Sequence, residues 1–190
     1  MIPDLLPQVG YPYRLLPEGV HPCDEETLRL QFVDRFPDSR TRRPIYDGFC
    51  LLRREADGRG IVATQWVDGS FVEGKPDPGD VDVASFCDYD FLNGLDSEGQ
   101  RFVVQSLNGR EATKTRYLTH TFLVVFCPPG HPYRPVFDQA RAYWRTWFGK
   151  TRDIPDPPGR DLPGRVKGFL QMTLGEAGQA PVIPSERNAP

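Results

Sequence analysis

The sequence predicts an α/β domain with a small mixed sheet flanked by helices, and three observations carry that prediction. Three strand-like runs, residues 61–67, 80–86 and 117–127, are separated by one loop and one polar, helix-like stretch. Amphipathic segments precede and follow them, and these can cover the faces of a sheet. The third observation is scale: 190 residues hold one core, and 38% hydrophobic residues with 18 Gly beside them reach the apolar share of a globular chain. A large two-domain enzyme and a wholly disordered chain are thereby excluded. The 20 Pro and 18 Gly add long, punctuated connections.

Each element has its own signal. Residues 1–22 hold five prolines and read as an extended arm lying on the domain, which itself spans residues 23–174. Asp24 can cap a helix running to about Phe36, with Leu28, Phe32 and Phe36 forming an apolar stripe. A second helix carries Pro44 in its first turn, buries Ile45, Phe49 and Leu52, and stops at Gly58 and Gly60. Strands at 61–67 and 80–86 flank a loop rich in Gly, Pro and Asp. Residues 89–107 supply one or two short helices, and 117–127 reads as the clearest buried strand, stopped by Pro128-Pro129-Gly130. In the helix that follows, Phe137, Ala140, Trp144, Trp147 and Phe148 share a core-facing side, while Arg141 and Arg145 share another. Residues 166–174 suggest a last, edge-type strand, and residues 175–190 a mobile tail.

Composition narrows the function. The net charge is −3, so any attraction for nucleic acid or anionic lipid has to come from a local patch. Residues 68–98 carry nine acids against Lys75 alone, whereas residues 134–167 carry eight bases against four acids. That polarity suits a site with a cation at one wall and phosphates at the other, although solvated faces of opposite sign would look the same. The longest apolar run, residues 122–127, is far too short to span a bilayer. Cys23, Cys50, Cys87 and Cys127 form no CxxC pair, which argues against a zinc ribbon or dithiol redox site. With no secretory pattern at the first residues, a cytoplasmic protein with reduced thiols is expected.

The informative segment begins at Trp66-Val67-Asp68-Gly69-Ser70-Phe71 and continues to Asp80-Val81-Asp82-Val83. Side chains two apart on a strand face the same side, so Asp80 and Asp82 project together while Val81 and Val83 enter the core. Two neighbouring carboxylates repel, and a hard cation such as Mg²⁺ relieves the repulsion while leaving positions open for phosphate oxygens. Gly69 lets a phosphate approach the backbone, and Ser70 can donate from its N–H and its hydroxyl.

An apolar strand, Gly-Ser, nine residues and then Asp-Val-Asp-Val resembles the signature of the DNA polymerase β-like nucleotidyltransferase superfamily. Within it, the chain looks most like the minimal nucleotidyltransferase-like proteins of bacterial toxin–antitoxin and phage-defence loci. It is similar in particular to a group of short bacterial proteins that start the motif at Trp-Val-Asp-Gly-Ser-Phe and close with an aromatic-Trp-Arg helix and a Lys-Gly strand. Tyr143-Trp144-Arg145, Phe148-Gly149 and Lys167-Gly168 match that ending. The resemblance implies a nucleotidyltransferase-like sheet and transfer of a nucleoside monophosphate from a triphosphate to a protein or tRNA acceptor. It places Gly69, Ser70, Lys75 and Lys167 at the triphosphate and puts Mg²⁺ or Mn²⁺ on Asp80 and Asp82. A third carboxylate is expected on the following strand, where His120 stands. Imidazole can accept a proton but is a poor ligand for Mg²⁺, and a histidine there can equally pack at the core or rim. Two classes therefore stand: an enzyme using Asp80, Asp82 and His120, or a catalytically inactive binding module, such as an antitoxin-like regulatory protein with a cognate partner. Arg134, Arg141, Arg145 and Arg152, with Lys167, mark the side from which an acceptor or anionic partner would approach.

Overall fold

The computed structural model describes residues 2–9, 11–152, 154–156, 160–162, 164–175 and 178–183. Five strands form one mixed sheet: β1 (Gly19–Pro22), β2 (Ala63–Asp68), β3 (Val81–Asp88), β4 (Thr119–Phe126) and β7 (Gly168–Leu174), in the order β1-β7-β2-β3-β4. β2 runs antiparallel to both neighbours, whereas β3 with β4 and β1 with β7 are parallel pairs. A separate two-stranded ribbon, β5 (Ile154–Asp156) with β6 (Arg160–Leu162), precedes β7.

The central strands are buried on both faces, as the uninterrupted burial of β2 requires. One face presents Val67, Val81 and Val83 to Leu28, Phe32, Ile45 and Phe49, which come from α1 (Glu25–Arg29), the π-type turn Leu30–Asp34 and α2 (Arg42–Asp57). Farther along that face, Ala63, Cys87 and Leu174 meet Leu52 and Ala56 of α2. The same cluster takes in Phe102 of α4 (Ser97–Phe102) and Tyr117 of α5 (Ala112–Tyr117). The opposite face presents Trp66, Ala84, Phe86, Val124 and Phe169 to Phe137 and Phe148 of α6 (Arg134–Phe148). A short α3 (Tyr89–Gly94), capped by Asp88, leads out of β3.

Several expectations need correction. The π-type turn ends the first helix at Asp34, so Phe36 leaves the stripe and instead lies under the Arg42 guanidinium, 3.7 Å from its ring centre. Residues 166–174 do not form an edge: the arm supplies β1, which covers β7 on its outer side and takes the edge position itself. Conversely, β4 ends the sheet and mixes buried with half-buried residues, with Val125 exposed. Its sequence reads as buried because Phe122 and Phe126 pack partly under α6 and Leu123 packs partly on the other face. Residues 112–116, unassigned by pattern, and Tyr117, read as the first strand residue, form α5, which Leu118 ends in the left-handed region at φ 51° so that β4 starts only at Thr119. Of the segment read as a mobile tail, Ile183 is buried against the α6 face, and the Pro181 carbonyl accepts a 2.5 Å hydrogen bond from Thr64 Oγ1.

Candidate functional site

Alternation along the strands decides which side chains meet at one end of the sheet. Trp66, Ala84, Phe122 and Phe169 face α6, so Asp68, Asp82, His120 and Lys167, each an even number of residues away, lie on that same face. They lie at the end of that face, where His120 rests against Phe122, while Asp68, Asp82 and Lys167 line a cleft. The sheet, the arm and the last turns of α6 enclose this cleft of about 900 Å³.

Its floor is the turn between β2 and β3. Gly69 sits at φ 86°, a conformation that favours glycine, and a Cβ there would collide with Asp82 Oδ2. Ser70 opens a single 3₁₀ turn, Ser70–Val72, which anchors Phe71 and Val72 in the core and leaves Gly69 and Ser70 at the cleft. The loop is held from beneath by Arg42, which is fully buried. Its guanidinium donates to the carbonyls of Phe32 (2.7 Å), Phe71 (2.7 Å), Glu73 (2.6 Å) and Lys75 (2.7 Å). Five N–H donors in a rigid fork suit such a cluster of carbonyls, which an ammonium could not span. Desolvation of this charge lowers the Arg42 pKa to about 10, still far above neutrality.

Charge in the cleft is arranged in two groups. Lys167, 2% exposed, donates to Asp68 Oδ1 at 2.5 Å and lies 3.1 Å from Glu73 Oε1; Tyr11 of the arm donates to the other Glu73 oxygen at 2.9 Å. Burial pushes the Asp68 pKa up to about 7 even though Lys167 pulls the other way. Burial also opposes the charge on Lys167, but Asp68 and Glu73 outweigh it and raise its pKa. The second group holds Asp80 and Asp82. Lys114 Nζ is 2.7 Å from Asp80 Oδ2 and 3.0 Å from Glu111 Oε2, while His120 Nδ1 lies 3.2 Å from Asp82 Oδ1. Burial raises the Asp82 pKa, and the neighbouring Asp80 charge adds to the rise, opposed by His120, Arg152 and Lys114. His120 Nδ1 is buried with no hydrogen bond of acceptable geometry, although Asp82 Oδ1 stands 3.2 Å away.

The sequence matches a protein-family pattern over residues 10–173, most of the chain. It belongs to DUF6932, a family of unknown function. The matched residues include the whole cleft, from Tyr11 on the arm to Lys167 at the start of β7. No curated protein and no solved structure matches this DUF6932 chain.

Of the residues singled out by sequence, Gly69, Ser70, Lys75, Asp80, Asp82, Arg152 and Lys167 line the one cleft, and His120 stands beside Asp82 as its β4 neighbour in register. The basic residues are spread over α6 and the segment that follows it. Arg134, at the start of α6, pairs with Asp138 at 2.9 Å and with the Cys127 carbonyl at 3.1 Å. Arg141 is half-buried, and Arg145 lines a neighbouring cavity of about 420 Å³ beside Glu18 and Lys150. Lys167 and Lys150 line both that cavity and the main cleft, and Arg152 lines the main cleft. Trp147, expected in the core, is 52% exposed and lines the cleft with Tyr143. At 3.6 residues per turn it falls roughly 80° from Phe137, enough to leave the buried stripe. Asp68, Glu73 and Lys114 escaped notice because their roles depend on pairs 99, 94 and 34 positions apart, with Lys167 and Asp80. Asp88 caps α3 at the far end of β3 and does not join the site.

Among the described residues no three His, Cys, Asp or Glu side chains form a closed metal cage. A Mg²⁺ ion bound through a nucleotide needs none, because it commonly keeps one or two protein carboxylates and takes its other ligands from phosphates and water. Asp80 and Asp82, both lining the cleft, fit that donor set, to which the His120 imidazole adds nothing. Among the described residues, no helix is long and apolar enough to cross a membrane.

Proposed function

We propose that the cleft binds a nucleoside triphosphate with Mg²⁺ or Mn²⁺ and transfers its nucleoside monophosphate to a protein or RNA hydroxyl, as a nucleotidyltransferase of the DNA polymerase β-like kind. The observation that carries the reading is the packing of the Gly69–Ser70 turn against Asp82, with Asp80 on the same wall and Lys150 and Arg152 across the cleft. A positive-φ glycine followed by a short helical turn presents backbone N–H groups to an anion, and the opposed carboxylates supply cation ligands. Asp80 and Asp82 would hold the ion, which when bound would neutralise phosphate charge and polarise the α-phosphate. Gly69 and Ser70 orient the β- and γ-phosphates, and Arg152 adds positive charge. The acceptor oxygen attacks the α-phosphorus, the bond to the α–β bridging oxygen breaks, pyrophosphate leaves, and His120 Nδ1 accepts the hydroxyl proton.

A second reading has its own support. Lys114 already stands against Asp80 at 2.7 Å, so the chain partly neutralises its own carboxylate, as a nucleotide-binding module without turnover would. Such a module would act through a partner, in the manner of an antitoxin-like regulator. Incubation with each α-labelled triphosphate, alone and with lysate protein or tRNA, separates the two: the enzyme transfers label, whereas the module gains thermal stability without transfer. Asp80→Ala combined with Asp82→Ala should abolish the magnesium-dependent rise in melting temperature in both cases. An equal rise in wild type and double variant would overturn the site.

A further inference from the structure

Two large aromatic rings on α6 are exposed at the cleft. Tyr143 and Trp147 are 54% and 52% exposed, one helical turn apart, with ring planes 13° from parallel and centroids 6.1 Å apart. Trp144 on the same helix packs on Phe122 and Phe148, so the buried stripe of α6 is complete without them. Across the cleft the arm contributes Tyr13, set edge-on to Tyr11 at 5.9 Å, and Tyr11 is itself tied to Glu73 on the floor. The arm is fixed on its other side by the hydrogen bond from Gly74 N to Arg14 O, 2.8 Å long. Exposed aromatic rings on a cleft wall, beside Lys150 and Arg152 and above an anion-binding turn, fit a ligand that is flat and apolar at one end and anionic at the other.

We propose that Tyr143 and Trp147 form a stacking ledge for the nucleobase, with Tyr13 closing over it from the arm. The inference rests on the triphosphate reading above and adds to it the place of the base and the residues that hold it. Stacking accepts any base, since each has a π face, so the ledge gives affinity for a nucleobase without choosing among the four. Base–aromatic stacking is typically lost on alanine substitution by about fivefold to a hundredfold in affinity.

The test is calorimetric titration of ATP, GTP, CTP, UTP, adenosine and inorganic tripolyphosphate, each with Mg²⁺, into wild type, Trp147→Ala and Trp147→Phe. The ledge predicts that the nucleotides bind at least about fivefold tighter than tripolyphosphate. Trp147→Ala should remove that advantage and leave tripolyphosphate unchanged, and Trp147→Phe should restore most of it. Quenching of tryptophan emission by ATP should vanish in Trp147→Phe, where Trp66 and Trp144 remain as controls. If nucleotides bind no tighter than tripolyphosphate, or Trp147→Ala weakens both alike or neither, the ledge is overturned while the triphosphate reading stands. If tripolyphosphate does not bind but adenosine binds in a Trp147-dependent way, the ledge stands and the triphosphate reading fails. Binding of neither overturns both.

Discussion

A single missing side chain sets the distance between the β2–β3 turn and the carboxylate wall. Gly69→Ala puts a methyl group where Asp82 Oδ2 lies and forces alanine to φ 86°, so we expect a loss of about 1–3 kcal/mol in urea unfolding and a weaker magnesium response from a displaced Asp82. Asp68 makes a prediction in pH. Its folded pKa is raised to about 7 from the ordinary carboxylate value, so the native state binds the proton more tightly than the unfolded chain. Stability from this group is therefore complete below about pH 4 and is lost as pH rises through about 7. Wild type should lose stability relative to Asp68→Asn as pH rises from about 4 through about 7. Parallel pH profiles of the two proteins in urea unfolding would show that Asp68 does not titrate there. Asparagine keeps an oxygen for Lys167, so the comparison isolates the charge.

Elements decide what these residues can reach. Arg42 opens α2 and gathers carbonyls from the first helical segment and from the loop that carries Gly69 and Ser70. Arg42→Ala strands several buried carbonyls at once, and about 3 kcal/mol or more should be lost in denaturant unfolding, together with triphosphate binding. Lys114 on α5 is different, because it is partly exposed and its partner Asp80 lies in the cleft. Removing it in Lys114→Ala should strengthen Mg²⁺ binding in calorimetry, since the ion no longer competes with an ammonium; weaker binding would mean that Lys114 holds Asp80 in place for the ion. The sequence made much of this legible. Alternation put Asp82 on the α6 face of β3, Asp80 just before the strand lines the same cleft, and the spacing of Phe137, Trp144 and Phe148 gave α6 its buried face. What stayed hidden was non-local. Nothing near Gly19 signals a parallel partner at Gly168, and α5 is too short and polar for its period to stand out. Trp147 was misread because a tryptophan beside a core stripe looks like core until the helix meets a cavity.

At the scale of the molecule, the cleft is a place where distant and oppositely charged segments converge. The acidic stretch supplies Asp68, Glu73, Asp80 and Asp82, the basic one Lys150, Arg152 and Lys167, and the arm adds Tyr11 and Tyr13. Neither segment alone makes a site, which is why the local charge asymmetry in the sequence had an equally good reading as two solvated faces. The sheet order has a further consequence in time. β7 lies between β1 and β2, so β1 has its hydrogen-bond partner only when residues 149 positions later have been made. At about 5–20 residues per second, a ribosome needs roughly 7–30 s to cover that interval. Throughout it the arm has no strand to lie on, and from the time they are made β2 has an open edge and Asp68 and Glu73 lack the lysine that accompanies them in the finished cleft. The nascent chain must therefore carry an unpaired sheet edge from β2 until β7 emerges, and its site can assemble only after that strand arrives.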